Sequence, residues 1–457
     1  MRRKIQNFGD YCFRILLLLL LGNLPFWLMG YSFFIDRALI NLDYLLLVFV
    51  IPLGLVAQLF ILLLLWIIDS VAIFSHVYQF KSIVDFAQSI RFIDLINTSD
   101  FVSLNVVIII LFVLWGRVVI RELPRIILCI PIFSISLFFL SVDYFNGSLG
   151  MVRGDTMQTS INVAGSSLRI FFLQISKLYS EGYQNFSPVL ESDRLLSSNE
   201  IEKWPLKYQD RSVLFVIVES LGHHNNSEIM DWLRAQLIDP VVKDKYNINI
   251  LLTSFRGATT DGELRQLCGI SGSYSIISSQ TKLTCIPQIF SDAGWVTSGF
   301  HGFSGRMFDR QNWWPFIGIQ NTYFAENLLK DAAPKCGGAF RGACDINSLE
   351  PISKLLSVPK QFVYQLTLNT HLPFEFVNIP DDLKIICGRN LTGDLPCQLI
   401  AAHGIYFRAL REILTRINLP PVVVLVGDHA PPFSKVLDRD LFDKKAVPAI
   451  ILLPKIK

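Results

Sequence analysis

Pro420-Pro421-Val422-Val423-Val424-Leu425-Val426-Gly427-Asp428-His429-Ala430-Pro431-Pro432 lies near the C-terminal end of the sequence. A run of apolar and β-branched residues, bracketed by prolines, reads as a strand buried on both faces, as in a parallel sheet. The run stops abruptly at Gly427-Asp428-His429. In an open α/β sheet ligands sit beyond the carboxyl ends of the strands. A carboxylate and an imidazole placed there read as metal ligands, or as a turn residue beside a hydrogen-bonded histidine.

Working outward, the same pattern recurs from Ser212 onward. Strands are expected at Val213–Val218, which is of buried type like Val422–Val426, and at Ile248–Thr253, Trp295–Phe300, Phe362–Leu368 and Val447–Leu453. Helical stretches such as Ser227–Leu237 and Leu399–Ile417 fit between them. This alternation predicts an α/β domain with a mostly parallel central sheet flanked by helices. Glu219, Thr259, His301, His371, Asp428 and His429 each follow a predicted strand closely, so all six are expected at one edge of the sheet. Taken singly, each is equally a capping or turn residue.

The chain has 457 residues, 51% of them hydrophobic, and a mean hydropathy of +0.43. That is too apolar for an ordinary soluble protein and predicts a membrane part. A net charge of +3 gives no reason to expect a nucleic-acid partner. Apolar runs at Ile15–Phe34 and Tyr44–Ile68 reach the roughly 20 residues of a bilayer span. Phe101–Gly116 and Ile126–Val142 are shorter candidates. Arg2, Arg3, Lys4 and Arg14 at one place, and Arg117, Arg121 and Arg125 at another, both read as cytoplasmic. An even number of spans must separate them, which requires a further, weaker span at Ser70–Ile90. The expectation is a transmembrane domain of about five helices over 1–143, a connector over 144–211 and an outward-facing domain over 212–457. Within the connector, Ser167–Tyr179 has one apolar helical face, suited to a membrane surface or to packing on the soluble domain. Six of the 8 cysteines form close pairs in the polar half: Cys268 and Cys285, Cys336 and Cys344, Cys387 and Cys397. Pairs this close predict local disulfides and an oxidising compartment.

Glu219, Asp428 and His429 supply two carboxylates and one imidazole, a set that suits zinc or manganese and suits calcium poorly. Three protein ligands leave a position open. A Thr259 hydroxyl in that position would be acidified, as metal-bound water is, and could act as a nucleophile on phosphorus or sulfur. Gly257 allows the tight turn before it. Thr259 or Thr260 is alternatively only the cap of a helix running to Cys268. His371 and His301 are assigned to the substrate phosphoryl group or to leaving-group protonation. Arg310 is a candidate phosphate clamp, or a salt-bridge partner of Asp309 or another neighbour. His223 and His224 read as surface histidines in a helix-entry loop.

Val218-Glu219-Ser220-Leu221-Gly222, the Gly257–Glu263 turn, Asn369-Thr370-His371-Leu372-Pro373-Phe374 and Gly427-Asp428-His429 resemble, in order, the motifs of sulfatase-type, alkaline-phosphatase-like membrane transferases. That group includes phosphoethanolamine transferases and lipoteichoic acid synthases. The resemblance implies a metal held by Glu219, Thr259, Asp428 and His429, zinc first and manganese or magnesium as alternatives. It implies Thr259 as the carrier of a covalent phosphoalcohol group and His371 on the substrate side. The partners implied are a phospholipid donor, phosphatidylethanolamine or alternatively phosphatidylglycerol, and a glycolipid or glycan acceptor such as lipopolysaccharide. The location implied is a bacterial inner membrane, multi-pass, with the catalytic domain periplasmic. The membrane half and the paired cysteines look like the phosphoethanolamine branch. The Thr259–Glu263 turn and the segment His301–Phe324, with Phe308 and Arg310, look somewhat like the lipoteichoic acid synthase pattern, and the further histidine that phosphoethanolamine transferases usually carry after Gly-Asp-His has no match in Ala430–Lys457. A hydrolase, sulfatase or phosphatase, is a further alternative, but the Cys-x-Pro-x-Arg signature of sulfatases is absent.

Overall fold

The computed structural model describes residues 19–20, 22–28, 40–50, 53–77, 164–169, 171–172 and 186–457, except 330–334, 339, 389–393, 434–435 and 456–457. The chain divides into two compact units, one drawn mainly from residues 1–181 and one mainly from 182–457.

The second unit holds a seven-stranded sheet. Its strands are β1 (Val213–Val218), β2 (Tyr246–Ser254), β3 (Val296–His301), β4 (Asn321–Tyr323), β5 (Gln361–Leu366), β6 (Val422–Gly427) and β7 (Ala446–Pro454). The order across the sheet is β2-β7-β6-β1-β5-β3-β4. From β6 to β4 all neighbours are parallel. β7 runs antiparallel to both β6 and β2. The mostly parallel α/β sheet expected from the sequence is therefore present.

Periodicity explains why β1 and β6 lie at the centre. Both are buried along their whole length, and alternate residues serve opposite faces. Leu214, Val216 and Val218 join Val423 and Leu425 in one core, against the helices α1 (Ser227–Leu237), α3 (Asp345–Leu356) and α4 (Asp394–Arg416). Val213, Phe215 and Ile217 join Val422, Val424 and Val426 in the other, against Phe290, Trp313 and Trp314. Each such side chain contributes about 1.5–3 kcal/mol of transfer free energy, so polar substitution in β1 or β6 is poorly tolerated.

The register sets the site. Val218 on β1 pairs with Gly427 on β6, so Glu219 and Asp428 leave the sheet side by side. Leu366 on β5 pairs with Ile217 on one side and His301 on the other. Three cystines, Cys268–Cys285, Cys336–Cys344 and Cys387–Cys397, close loops on this unit as the sequence pairing predicts.

β2, expected over Ile248–Thr253, is present at the sheet edge, with Ile250, Leu251 and Leu252 exposed. Two local expectations are corrected. The three-residue β4 carries no apolar run to announce it. The helix expected up to Cys268 is two pieces: α2 (Thr259–Glu263), then a π-helical turn over Leu264–Cys268 ended by left-handed Gly269.

In the first unit the apolar run from Tyr44 is not one helix. A 3-10 turn, Leu42–Leu45, leads into helix Leu46–Val50, and a second helix runs from Leu55 to Val77. Among the described residues no helix is long and apolar enough to cross a membrane. Phe101–Gly116 and Ile126–Val142, most of Ser70–Ile90, more than half of Ile15–Phe34 and most of Ser167–Tyr179 lie outside the described residues. A polar network ties Ser166 and Ser167 to the core of this unit. Ser166 Oγ donates to Asp43 at 2.6 Å, and Ser167 Oγ and Tyr44 OH donate to Asp69 at 2.8 and 2.9 Å.

Candidate active site and metal centre

Glu219, Asp428 and His429 converge at the carboxyl edge of β1 and β6, with one ligand atom of each within 4.8 Å of the others. All three are buried. His429 Nε2 lies 3.5 Å from Glu219 Oε1 and 3.2 Å from Asp428 Oδ2. The His429 Nδ1–H donates to Ala430 O at 3.1 Å, which turns the Nε2 lone pair toward the carboxylates, the usual arrangement behind a metal-bound imidazole. Thr259 Oγ1 donates to Glu219 Oε2 at 2.9 Å and lies 3.4 Å from His429 Nε2. The four residues selected from the sequence as ligands and nucleophile are thus brought together.

Whether the donors fit a cation follows from their electrostatics. Burial and the adjacent Asp428 push the Glu219 carboxyl well above the usual carboxylate range. Asp428 Oδ1 accepts from the backbone N–H groups of Ser220 and His429 at 2.8 and 2.7 Å. Its Oδ2 is buried with no hydrogen-bond donor. Two desolvated carboxylates facing each other, one with an orphaned oxygen, are poorly accommodated without positive charge between them. Two oxygen ligands and one nitrogen ligand fit zinc or manganese.

The groups that support the cluster come from the loops after β1 and β5, from α4, and from α2 with the turns on either side of it. Glu219 N–H donates to Thr367 Oγ1 at 2.9 Å. Its carbonyl accepts from Thr370 Oγ1 at 2.6 Å and from His403 Nε2–H at 3.0 Å. Ser220 stands in the left-handed region at φ 57°, a strained conformation for serine of the kind held at functional sites. Neither threonine caps α2: the Asp261 carboxylate reaches back to Ala258 N–H at 2.9 Å, leaving the Thr259 hydroxyl for Glu219. Gly262 lets α2 lie against Asp428, because a Cβ there would come within 2.9 Å of Asp428 Cβ. Arg265, in the π turn, donates to Asp428 O at 2.8 Å and Arg256 O at 3.0 Å.

His371 and His301 are buried on the β5 side of this cluster. Burial, the neighbouring His429 and Arg310 push His371 down to about 3. Burial and Arg310 likewise hold His301 well below the ordinary imidazole range. Both are neutral hydrogen-bonding groups at pH 7. Arg310 pairs with Glu263 and not with Asp309: its Nε and one terminal N–H group donate to Glu263 Oε2 at 3.0 and 2.8 Å. Trp314 Nε1–H and Tyr364 OH both donate to Glu263 Oε1 at 3.1 Å. Two of its donors are therefore committed to Glu263, while its charge still reaches both histidines. His224 is buried rather than on the surface, because its backbone bridges to Phe442 and its ring packs edge-on to that phenyl at 4.9 Å; His223 is half-buried.

Sequence reasoning passed over His403, which lies mid-helix on α4 with no motif to flag it. Burial lowers it to about 4. The fold therefore keeps His403 neutral while the unfolded chain takes up a proton below about pH 6.5. Its contribution to stability is whole above that pH and declines as pH falls toward 4, by about 2 kcal/mol at pH 5. Thermal unfolding at pH 7 and pH 5 is expected to show this loss, with a shallower dependence in His403→Gln.

No family model matches the chain, and no curated protein matches it. Solved structures do. One is lipoteichoic acid synthase from Listeria monocytogenes, with 16% identity, a TM-score of 0.38, and coverage of 57% of this chain and 69% of that one. Another is a phosphoglycerol transferase from Streptococcus pyogenes in complex with sn-glycerol-1-phosphate, with 18% identity, a TM-score of 0.38, and coverage of 58% and 77%. A third is the C-terminal periplasmic domain of EptC from Escherichia coli in complex with Zn, with 14% identity, a TM-score of 0.34, and coverage of 60% and 76%. At these identities and scores the likenesses carry no functional argument.

Proposed function

We propose that the protein is a membrane-anchored, metal-dependent transferase that moves phosphoethanolamine from a phospholipid to a lipopolysaccharide or another cell-envelope glycan. The observation that carries the reading is the Thr259 hydroxyl seated on the buried Glu219, Asp428 and His429 cluster. A zinc, manganese or magnesium ion held there by Glu219, Asp428, His429 and Thr259 would supply Lewis acidity and lower the hydroxyl pKa. Thr259 Oγ then attacks the donor phosphorus. An Oγ–P bond forms, the bond from phosphorus to the diacylglycerol oxygen breaks, and that oxygen takes up a proton in exchange for the one the Thr259 hydroxyl gives up. In the second step an acceptor hydroxyl loses its proton and attacks phosphorus, the new acceptor O–P bond forms, the Thr259 Oγ–P bond breaks and Oγ is reprotonated, a ping-pong sequence. Glu219 receives the Thr259 hydroxyl hydrogen bond in the resting site. His371 and His301, held neutral by burial, offer hydrogen bonds to the phosphoryl oxygens or the leaving oxygen. Arg310, oriented by Glu263, supplies positive field on the same side.

The membrane part of the reading rests on the apolar runs of residues 1–143 and on helix Leu55–Val77. Val56, Phe60, Leu63, Leu64 and Ile67 are all exposed along that helix, at spacings that make one apolar stripe. Such a surface suits lipid. The three cystines agree with a periplasmic catalytic domain. A second reading, phosphoglycerol transfer by the same machinery, is favoured by Phe308 and Arg310 in the segment after His301.

The test uses the full-length, metal-loaded protein in micelles containing acyl-labelled phosphatidylethanolamine or phosphatidylglycerol. Release of labelled diacylglycerol from the first lipid is expected. Release only from the second establishes the phosphoglycerol reading, and release from neither overturns both.

A further inference from the structure

Asp345 is the first residue of α3 and is fully buried, yet the mechanism gives it no task. Its partners are backbone amides. Leu368 N–H donates to both carboxylate oxygens, at 3.0 and 2.9 Å, and Asn369 N–H donates to Oδ2 at 2.8 Å. The contact is reciprocal, because Asp345 N–H donates to Asn369 Oδ1 at 2.7 Å. Leu368 and Asn369 open the turn that ends in His371, closed by His371 N–H to Leu368 O at 2.9 Å. The far side of that turn is fixed to Glu219 through Thr370. Asp345 is itself held from behind: Gln365 Nε2–H donates to its carbonyl at 3.2 Å, and Tyr406 OH donates to Gln365 Oε1 at 2.7 Å. The preceding residue, Cys344, is fixed to Cys336. Phe340, inside that disulfide loop, packs edge-on to the His371 ring at 4.7 Å.

We infer that Asp345 is a positioning residue for the transfer reaction, clamping the Leu368–His371 turn so that the His371 imidazole is held against the metal cluster. The inference rests on the transferase reading for its kinetic consequence but not for its structural one. A carboxylate can receive both amides, whereas an asparagine turns an NH2 group toward one of them. With the amide oxygen at the Oδ2 position, which now accepts from both amides, the NH2 group meets Leu368 N–H across the 3.0 Å contact that Oδ1 accepts, donor against donor, so the turn shifts. A displacement of about 1 Å at a substrate-orienting group lowers turnover by about 100-fold.

The experiment compares wild type, Asp345→Asn, His371→Ala and the double variant as full-length, metal-loaded proteins, using acyl-labelled phosphatidylethanolamine and phosphatidylglycerol in micelles. Asp345→Asn is expected to lower kcat about 10–100-fold, with KM within about twofold and metal content unchanged. In the His371→Ala background the same change should lower kcat no further, because residues acting through one group are not additive. Amide exchange in the 362–374 peptide should quicken. If Asp345→Asn does not fold, Asn369→Ala removes only the reciprocal bond and should give the same pattern at smaller amplitude. An equal loss in the His371→Ala background, or unchanged exchange over 368–371, overturns the assignment. If wild type turns over neither lipid, the transferase reading fails, and exchange alone then decides whether Asp345 holds the turn.

Discussion

Thr259→Ala is expected to abolish donor turnover, by at least about 1000-fold, while leaving the fold and the bound metal in place. The magnitude follows from the role: a group that forms the covalent bond has no substitute, and losing such a nucleophile removes most of an enzyme's acceleration. Retention of fold follows from the local structure. The α2 N-terminus is secured by Asp261 on Ala258 N–H and not by the threonine hydroxyl, so alanine forfeits little helix stability. Metal should remain because Glu219, Asp428 and His429 converge without help from Thr259. Thr260→Ala is the control. Labelled diacylglycerol release and elemental analysis measure the two quantities, and full activity in Thr259→Ala would remove the threonine from the chemistry.

Glu263→Ala should be the most damaging single change to stability. The carboxylate is fully buried beneath the site and satisfies Arg310, Trp314 and Tyr364 together. Its loss strands a guanidinium that is also buried. Breaking a buried pair from one side costs about 3–5 kcal/mol, and each orphaned donor adds about 1–3 kcal/mol. Together these come to about 5–11 kcal/mol against a total of about 5–15 kcal/mol for a folded domain, so the variant should melt at least roughly 10 °C lower or fail to accumulate. Glu263→Gln keeps an acceptor for the two aromatic donors and should fall between the two. Melting of Glu263→Ala within about 2 °C of wild type would show that the Arg310 charge is compensated elsewhere.

The parts of this protein that could be read from the sequence share a physical cause. β1 and β6 are legible because strands covered on both faces must be apolar throughout, and the site follows because Glu219 and Asp428 terminate them one residue past a register pair. The cystines are legible because their partners lie 8, 10 and 17 residues apart, and α1 because its apolar positions repeat with the helical period. What escaped depends on distant partners. The pairing of Arg310 with Glu263, 47 residues earlier, has no local signature. The same holds for His403 beneath the Glu219 carbonyl and for Asp345 beneath the His371 turn. We have no physical account of why the helix after Thr259 widens into a π turn at Leu264.

The central claim is that Thr259 carries the transferred group, and mass spectrometry of the peptide spanning Arg256 to Arg265, from protein purified out of bacterial membranes, addresses it most directly. The account predicts a phosphoalcohol adduct on Thr259, its mass distinguishing phosphoethanolamine from phosphoglycerol, and no adduct in Thr259→Ala. An unmodified peptide from protein incubated with donor lipid and no acceptor, in a preparation that also binds no metal, would contradict it.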